Sequence, residues 1–330
     1  MEFKALQVSE VTEKKFTSTI VERSVDELPE GEVLIEVSYS SINYKDALSA
    51  SGNKGVTRNY PHTPGVDASG IVRSSSSDNF KPGDEVIVTG YDLGMNTAGG
   101  FGQYIRVPAA WVLACPEGLN LRDAMILGTA GFTAALCVEK LIANGLAPDA
   151  GDVLVTGATG GVGIVAVMLL KALGYRVVAS TGKNSAHDTL LQLGASEILD
   201  RAELSEANPR PLLKERWAAA VDVAGGDTLS NVIKALNYGA SVAACGLVQS
   251  PILQASVLPF ILRGVNLLGI DSVELPLDSK QAVWAKLAGE WKLAGLDAIC
   301  TEIGLEQLDT SLSSVLAGQA TGRFLLNLHS

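Results

Sequence analysis

Along the front of the chain, short apolar runs rich in β-branched and aromatic residues alternate with turn residues. The runs cover 3–8, 16–21, 33–39, 70–72, 85–88, 103–107 and 111–114, and Pro29-Glu30-Gly31, Pro61 to Gly65 and Pro82-Gly83-Asp84 interrupt them. Strands at this spacing predict a compact, barrel-like β domain. From Gly151 the rhythm changes to strand–helix alternation, with strands at 153–156, 176–180, 197–199, 219–223, 241–245 and 266–270. Six such strands predict an α/β fold with a doubly wound parallel sheet. Ser185 is the expected N-cap of a helix over 186–193 that Gly194 closes, and Asp227 the expected cap of a helix over 228–236. After Ser272 come a helical stretch containing Trp284, Leu287 and Trp291, a second over 305–316, and an apolar run at 323–328 that reads as a strand returning to the first domain. The parallel-sheet domain is therefore inserted, and both ends of the chain build the other one.

The inserted half opens on Val153-Leu154-Val155-Thr156-Gly157-Ala158-Thr159-Gly160-Gly161-Val162-Gly163, followed at helical spacing by Val165, Ala166, Leu169, Leu170 and Leu173. That order is strand, tight turn and helix start. Glycines lack the Cβ atoms that would keep a pyrophosphate from the backbone N–H groups, and a helix N-terminus adds unpaired donors with about half a positive charge. A dinucleotide is the ligand such a segment suits. The spacing departs from G-x-G-x-x-G, since Ala158 stands at the first glycine position. A ligand-free connector is the competing reading, but the turn lies where ligands bind in such sheets, at a strand's carboxyl end.

With 330 residues, 47% hydrophobic and 18% charged, the chain is long enough for two sizeable cores. No window approaches the roughly 18 uninterrupted apolar residues of a membrane span, and Met1-Glu2-Phe3-Lys4 opens no basic-then-apolar signal, so a cytoplasmic protein is expected. Cys115, Cys137, Cys245 and Cys300 lie far apart without a C-x-x-C. They predict buried thiols, neither disulfides nor a thiolate metal site. The net charge of −11 argues against general nucleic-acid binding, though a local cluster of Lys and Arg can still hold an anionic small molecule.

Pro64-Gly65-Val66-Asp67-Ala68-Ser69-Gly70 and Leu127-Gly128-Thr129-Ala130-Gly131-Phe132-Thr133-Ala134 complete the pattern. With the β-rich front and the glycine turn, they resemble the medium-chain dehydrogenase/reductases from end to end. The resemblance implies a GroES-like β-rich catalytic domain over 1–124 and 272–330 around a Rossmann NADPH-binding domain over 125–271. Ser41-Ile42-Asn43-Tyr44-Lys45-Asp46, the glycine turn and Thr181-Gly182-Lys183 resemble the zinc-independent quinone-oxidoreductase-like branch, and within it the bacterial NADPH-dependent acrylyl-CoA reductases. Zinc-dependent relatives place Cys, His and Cys where this chain has Asn43, Val66 and Ala130, and carry a four-Cys loop near Gly90 to Gly99. Zinc needs about four nitrogen, sulfur or carboxylate ligands. His62, His187 and His329 sit in unrelated segments, so no metal is expected. Charge at the reacting centre must then be met by hydrogen bonds.

NAD readers usually carry Asp or Glu at the end of the second strand. Here that end reads Ala179-Ser180-Thr181-Gly182-Lys183, which suits a 2′-phosphate, and Arg201 after the third strand can reach the same place. NADPH is therefore expected, against the plainer readings of Lys183 and Arg201 as surface cations. The resemblance further implies that Thr159, Gly160, Gly161 and Val162 line the pyrophosphate and that Leu247, Ile270 and Ser272 border the nicotinamide. It matches Arg323 to a basic position near the cofactor phosphates, or else Arg323 is a surface arginine opening the last strand. Thr129 and Thr133 either contact the nicotinamide amide or only cap a helix. Tyr44 belongs to the segment whose counterpart faces the nicotinamide, where its phenol acts as a donor or simply packs. Asn43 either donates to an oxyanion or fixes the loop, and Asp46 is a structural carboxylate.

Three functions follow from these expectations. The first is NADPH-dependent reduction of acrylyl-CoA or another short enoyl-CoA, with Lys45, Lys54 and Arg58 as candidate contacts to the polyanionic coenzyme A. The second is reduction of quinones or reactive enones. The third is a cofactor-binding structural or redox-sensing protein without significant turnover. The apolar sixth strand, 266–270, is an edge that relatives pair across a two-fold axis, so a homodimer is expected unless the edge is covered within the chain.

Overall fold

The computed structural model describes residues 1–329 and separates into two compact units. One comprises residues 1–129 and the stretch from Val273 onward; the other is Ala130–Ser272. In the first unit, β1 (Glu2–Thr12) and β2 (Lys15–Ser24) form an antiparallel hairpin. After β3 (Val33–Ser41) come helix α1 (Tyr44–Ala50), β4 (Asp67–Ser75), β5 (Glu85–Thr89), β6 (Tyr104–Val107) and β7 (Val112–Ala114). Helix α2 (Leu121–Ala143) carries the chain out of this unit.

The second unit alternates β8 (Asp152–Val155), α3 (Gly161–Ala172), β9 (Arg176–Thr181), α4 (His187–Leu193), β10 (Glu197–Asp200), α5 (Ala202–Ser205), β11 (Trp217–Asp222) and α6 (Gly226–Ala235). It closes with β12 (Leu236–Ala244), α7 (Leu258–Arg263) and β13 (Asn266–Gly269). The return to the first unit adds α8 (Leu277–Ala288), β14 (Cys300–Ile303), α9 (Leu308–Leu316) and β15 (Arg323–Asn327).

The six strands of the second unit are all parallel, in the order β10-β9-β8-β11-β12-β13. The central strands of such a sheet are covered on both faces and so read as apolar runs. Val153, Leu154 and Val155 of β8 are fully buried, as is α3 from Gly163 to Leu170. The first unit's sheet runs β14-β15-β3-β4-β5-β7, with β6 also paired to β3. Leu325 of β15 stands opposite Ser41, so the end of the chain lies beside the strand that leads into α1. Along β3 the residues Val33, Ile35 and Val37 alternate into the core.

Several local expectations need correction. A short 3-10 turn over Asn184–Ala186 precedes α4, so Ala186 and not Ser185 is its N-cap. Asp227 lies inside α6, which starts after Gly225; the Thr228 N–H is satisfied by Gln249 Oε1 at 2.9 Å. Trp291 lies beyond α8, and β12 begins at Leu236 rather than 241. The sequence pattern showed neither α1 nor β14. Helix α2 is long and apolar enough to cross a membrane, but 78% of its most apolar window is buried in the protein and the helix is broken at Gly128 (φ 52°).

Candidate functional site

The glycine turn of the second unit is held by sterics that only glycine satisfies. Gly157 has φ +57°, and a Cβ there would stand 2.5 Å from Val223 Cγ2; one on Gly163 would stand 2.4 Å from Gly157 O. The start of α3 is thereby pulled against the end of β8. Gly160 is the N-cap and has no side chain to cap the first turn. A Cβ on Gly160 would meet nothing closer than 3.4 Å. The protein leaves this N-terminus uncovered, as a backbone cradle for a pyrophosphate requires. Thr159 is buried in the turn, and Gly161 and Val162 are half-buried at the helix start.

At the end of β9, Ser180 and Thr181 are buried: Ser180 O accepts from Ala158 N–H at 3.0 Å and Thr181 Oγ1 accepts from Lys183 N–H at 3.1 Å. These residues build the turn, and the cations beyond it are what an anion would meet. Arg201, tied to Thr181 O through its N–H (3.1 Å), lies across Gly182. The Lys183 ammonium is pushed below the usual lysine range by burial and by the Arg201 charge. Two cations converging after β9 and β10, with no carboxylate ending β9, form an arrangement that a dianionic group relieves and a ribose hydroxyl does not.

The remaining strand ends of this unit carry a polar group that the sequence reading missed. Asp222, fully buried at the end of β11, accepts from Thr156 Oγ1 (2.7 Å) and Gly225 N–H (2.8 Å), and burial pushes its carboxyl upward. Thr156 Oγ1 in turn accepts from Val223 N–H at 3.0 Å, which locks β8 to β11 just before the glycine turn. The signal was a lone Asp closing the apolar run 217–223 before Gly225-Gly226. Leu247 follows β12 and is exposed, while Ile270 follows β13, its N–H on Ala244 O at 3.1 Å. Thr133 Oγ1 donates to Ser272 Oγ at 2.9 Å.

In the first unit, Asn43, Asp46, Asp67, Thr129 and Arg323 form one buried cluster. Asp67 accepts from Ser41 Oγ (2.6 Å), Asn43 Nδ2 (2.7 Å), Thr129 N–H (2.8 Å) and Thr129 Oγ1 (2.5 Å). Asp46 accepts from Asn43 N–H (2.8 Å) and Val66 N–H (2.9 Å). Burial, and then the neighbouring Asp67 charge, raise Asp46 to about 7. Arg323 is 3% exposed and donates to Ile126 O, Ile42 O and Asn43 Oδ1 at 2.9, 3.2 and 3.4 Å. Gly128 makes this packing possible, because a Cβ there would lie 2.3 Å from Ser41 Oγ and 2.6 Å from Asp67 Oδ2.

This cluster bears on three expectations. Asn43 donates its amide to Asp67 and, at 3.4 Å, to Ser41 O, so it fixes the loop rather than offering a donor to an oxyanion. Thr129 donates its hydroxyl to Asp67 at 2.5 Å. Arg323 is not a surface arginine; its guanidinium is buried among the carbonyls of its own unit. Tyr44, the first residue of α1, is by contrast exposed, with no hydrogen bond to its hydroxyl among the described residues. Lys54 is paired with Glu10 at 3.2 Å and lies over the Tyr60 ring, leaving Arg58 the more open cation of that pair. The Asn43 amide and the Asp67 carboxylate are committed to hydrogen bonds and Val66 is apolar, so this cluster does not fit a zinc ion.

Residues 29–117 match the family described as Alcohol dehydrogenase GroES-like domain, and residues 161–289 the family described as Zinc-binding dehydrogenase. The acrylyl-CoA reductase AcuI of Ruegeria pomeroyi is 45% identical over 329 residues, 99% of this chain and all of the relative. The putative quinone oxidoreductase YhfP of Bacillus subtilis is 46% identical over 306 residues, 92% of this chain and 93% of the relative. Its solved structure with NAD bound has a TM-score of 0.95, with 99% of each chain covered. The YhdH oxidoreductase of Salmonella enterica, solved with NADP, has the same TM-score at 42% identity, again with 99% of each chain covered.

Proposed function

The chain belongs to the medium-chain dehydrogenase/reductase family, alongside acrylyl-CoA reductases and quinone oxidoreductases, and from that premise we propose that it reduces the C=C bond of a short α,β-unsaturated acyl-CoA with NADPH, acrylyl-CoA being the preferred substrate. The observation that carries the cofactor choice is Arg201 lying across Gly182, next to Lys183. The NAD-bound relative makes this choice a matter for measurement.

When bound, NADPH supplies a hydride. The chain's own residues do the rest. The N-terminus of α3, with Thr159, Gly160, Gly161 and Val162, holds the pyrophosphate, and Lys183 and Arg201 hold the 2′-phosphate, with Ser180, Thr181 and Gly182 shaping that turn. Leu247, Ile270, Ser272 and Thr133 border the nicotinamide. The exposed Tyr44 phenol would donate a hydrogen bond to the thioester oxygen, where negative charge would collect as the β-carbon is reduced, and the α-carbon would take its proton from solvent. Asp46, Asp67, Asn43, Thr129 and Arg323 set the position of the α1 N-terminus that carries Tyr44.

A quinone or reactive-enone reductase is the second reading, favoured by the name of the Bacillus relative. NADPH oxidation with acrylyl-CoA, crotonyl-CoA and a simple quinone, with NADH as the control, separates the readings. Preference for acrylyl-CoA with NADPH supports the proposal, quinone-only turnover supports the second reading, and NADPH binding without any turnover supports neither enzyme. The four cysteines are free, and we place the enzyme in the cytoplasm.

The partner we propose is a second copy of this chain. Among the described residues strand β13 pairs only with β12, and Ile261, Leu262 and Leu267 near it are 69%, 57% and 38% exposed. Light scattering should give about twice the 34.4 kDa chain mass, and a monomer would refute the pairing.

A further inference from the structure

Beneath the glycine turn, Thr156 and Asp222 are buried side by side, the first directly before Gly157 and the second at the end of β11. A hydroxyl has one proton to give, and that of Thr156 goes to Asp222 Oδ1 at 2.7 Å. Its oxygen is thereby left to accept from Val223 N–H at 3.0 Å. The other carboxylate oxygen, Oδ2, accepts from Gly225 N–H at 2.8 Å. Main-chain bonds complete the arrangement: Thr156 N–H donates to Val221 O at 3.0 Å, and Cys245 N–H to Asp222 O at 2.9 Å. Asp222 therefore ties together the ends of β8, β11 and β12.

These bonds reach the turn through Val223. Its Cγ2 stands 2.5 Å from where a Cβ on Gly157 would be, so Gly157 rests directly on that side chain. Gly160 N–H donates to Gly157 O at 2.9 Å, and a Cβ on Gly163 would stand 2.4 Å from the same oxygen. The place of Val223 thus sets the place of Gly157, and Gly157 sets the first turn of α3 with its uncovered N–H groups.

We propose that Asp222 and Thr156 are positioning residues for the dinucleotide: their hydrogen bond holds the glycine turn in the geometry that binds the pyrophosphate, from below the surface. The proposal rests on the placement of the pyrophosphate at the α3 N-terminus and is independent of the substrate. A carboxylate suits the role because it only accepts. It takes the hydroxyl proton of Thr156, which points the free lone pair of that oxygen at Val223 N–H. A side chain that offers a donor to Thr156 leaves the hydroxyl proton buried without a partner, and one that offers neither leaves the Gly225 N–H unpaired as well. The pyrophosphate is common to NADPH and NADH, so the effect of this pair falls on both cofactors alike. That separates it from Lys183 and Arg201, which face only the 2′-phosphate.

The test measures the Kd for NADPH and for NADH by cofactor fluorescence, on the full-length protein and on three folded variants. Thr156→Val keeps the shape of the side chain and removes both hydroxyl bonds; it should raise the Kd for the two cofactors by the same factor, about tenfold. Thr156→Ser keeps the hydroxyl and should bind both like the parent. Asp222→Asn keeps the acceptor for Gly225 N–H but turns an N–H toward Thr156, and it should weaken both cofactors as Thr156→Val does; it decides the matter alone if the valine variant does not fold. A parental Kd in Thr156→Val or Asp222→Asn, even at a lower denaturation midpoint, would leave the pair a purely structural role and overturn the proposal. A serine variant as weak as the valine variant, or a loss confined to NADPH, would overturn it too. Failure of the parent itself to bind either cofactor would overturn the pyrophosphate placement and the proposal together.

Discussion

Arg201 lies across Gly182, so close that a Cβ on that glycine would stand 2.5 Å from its Nε. The guanidinium is thus held beside Lys183, at the place where a carboxylate would select NAD. A hydrogen bond to a charged group contributes about 1.5–3 kcal/mol, which is roughly 10- to 100-fold in binding. Lys183→Ala and Arg201→Ala should each raise the KM for NADPH by about that factor and leave the KM for NADH nearly unchanged. Equal effects on both cofactors in steady-state kinetics would remove the 2′-phosphate from this site.

Gly128 combines left-handed backbone with contact to Ser41, Asp67 and Arg323. An alanine there takes on the strain of φ +52°, about 1–2 kcal/mol, and pushes its methyl into the Asp67 hydrogen bonds. Gly128→Ala should therefore destabilise the protein by about 2 kcal/mol or more, read as a lower denaturation midpoint. A midpoint within error of the parent would mean that the kink in α2 is not held by this packing.

The contrast between these two sites shows what a sequence can carry. The parallel sheet was legible because its central strands, β8 and β11, are apolar runs followed by turns that carry glycine; β8 with Gly157 to Gly163 needs no distant partner to be read. Lys183 was legible for the same local reason. The Asp67 cluster was not, since its members come from β3, α1, β4, α2 and β15, and only the fold shows that Asn43 and Thr129 face the same carboxylate. Helix α1 was missed because Asn43-Tyr44-Lys45-Asp46 lacks an apolar period. Its start is fixed by Asp46 accepting the Asn43 N–H, a bond that pattern alone does not reveal.

Tyr44 and Asn43 adjoin in sequence but differ in kind. The phenol of Tyr44 is exposed, whereas the amide of Asn43 is bonded inside the cluster. Tyr44→Phe should lower kcat with acrylyl-CoA by about 10²-fold at nearly unchanged stability, the scale of one donor to a developing oxyanion. Asn43→Ala should lower the denaturation midpoint as well as the rate, because it leaves Asp67 and Arg323 short of a partner. A Tyr44→Phe enzyme with parental kcat would reduce Tyr44 to a packing role.

Asp46 makes stability depend on pH in a defined direction. Its folded-state pKa of about 7 lies above the ordinary carboxylate value of 3.8 because burial, and then the Asp67 charge, disfavour the ionised form. Below about pH 4 both folded and unfolded states hold this proton, and its contribution to stability is complete. Between about 4 and 7 the unfolded state releases the proton while the folded state keeps it, so the contribution falls as pH rises and is lost above about 7. His62 works the other way: burial lowers its folded pKa, so its contribution grows as pH rises through the ordinary histidine range. The two oppose each other in the parent, and only the difference between the parent and Asp46→Asn isolates the carboxyl. Urea unfolding at pH 5, 6, 7 and 8 should show the parent losing stability relative to Asp46→Asn from pH 5 to 7 and little more from 7 to 8. Parallel pH curves for the two proteins would mean that Asp46 is already ionised at pH 5 and that the cluster holds two charges side by side.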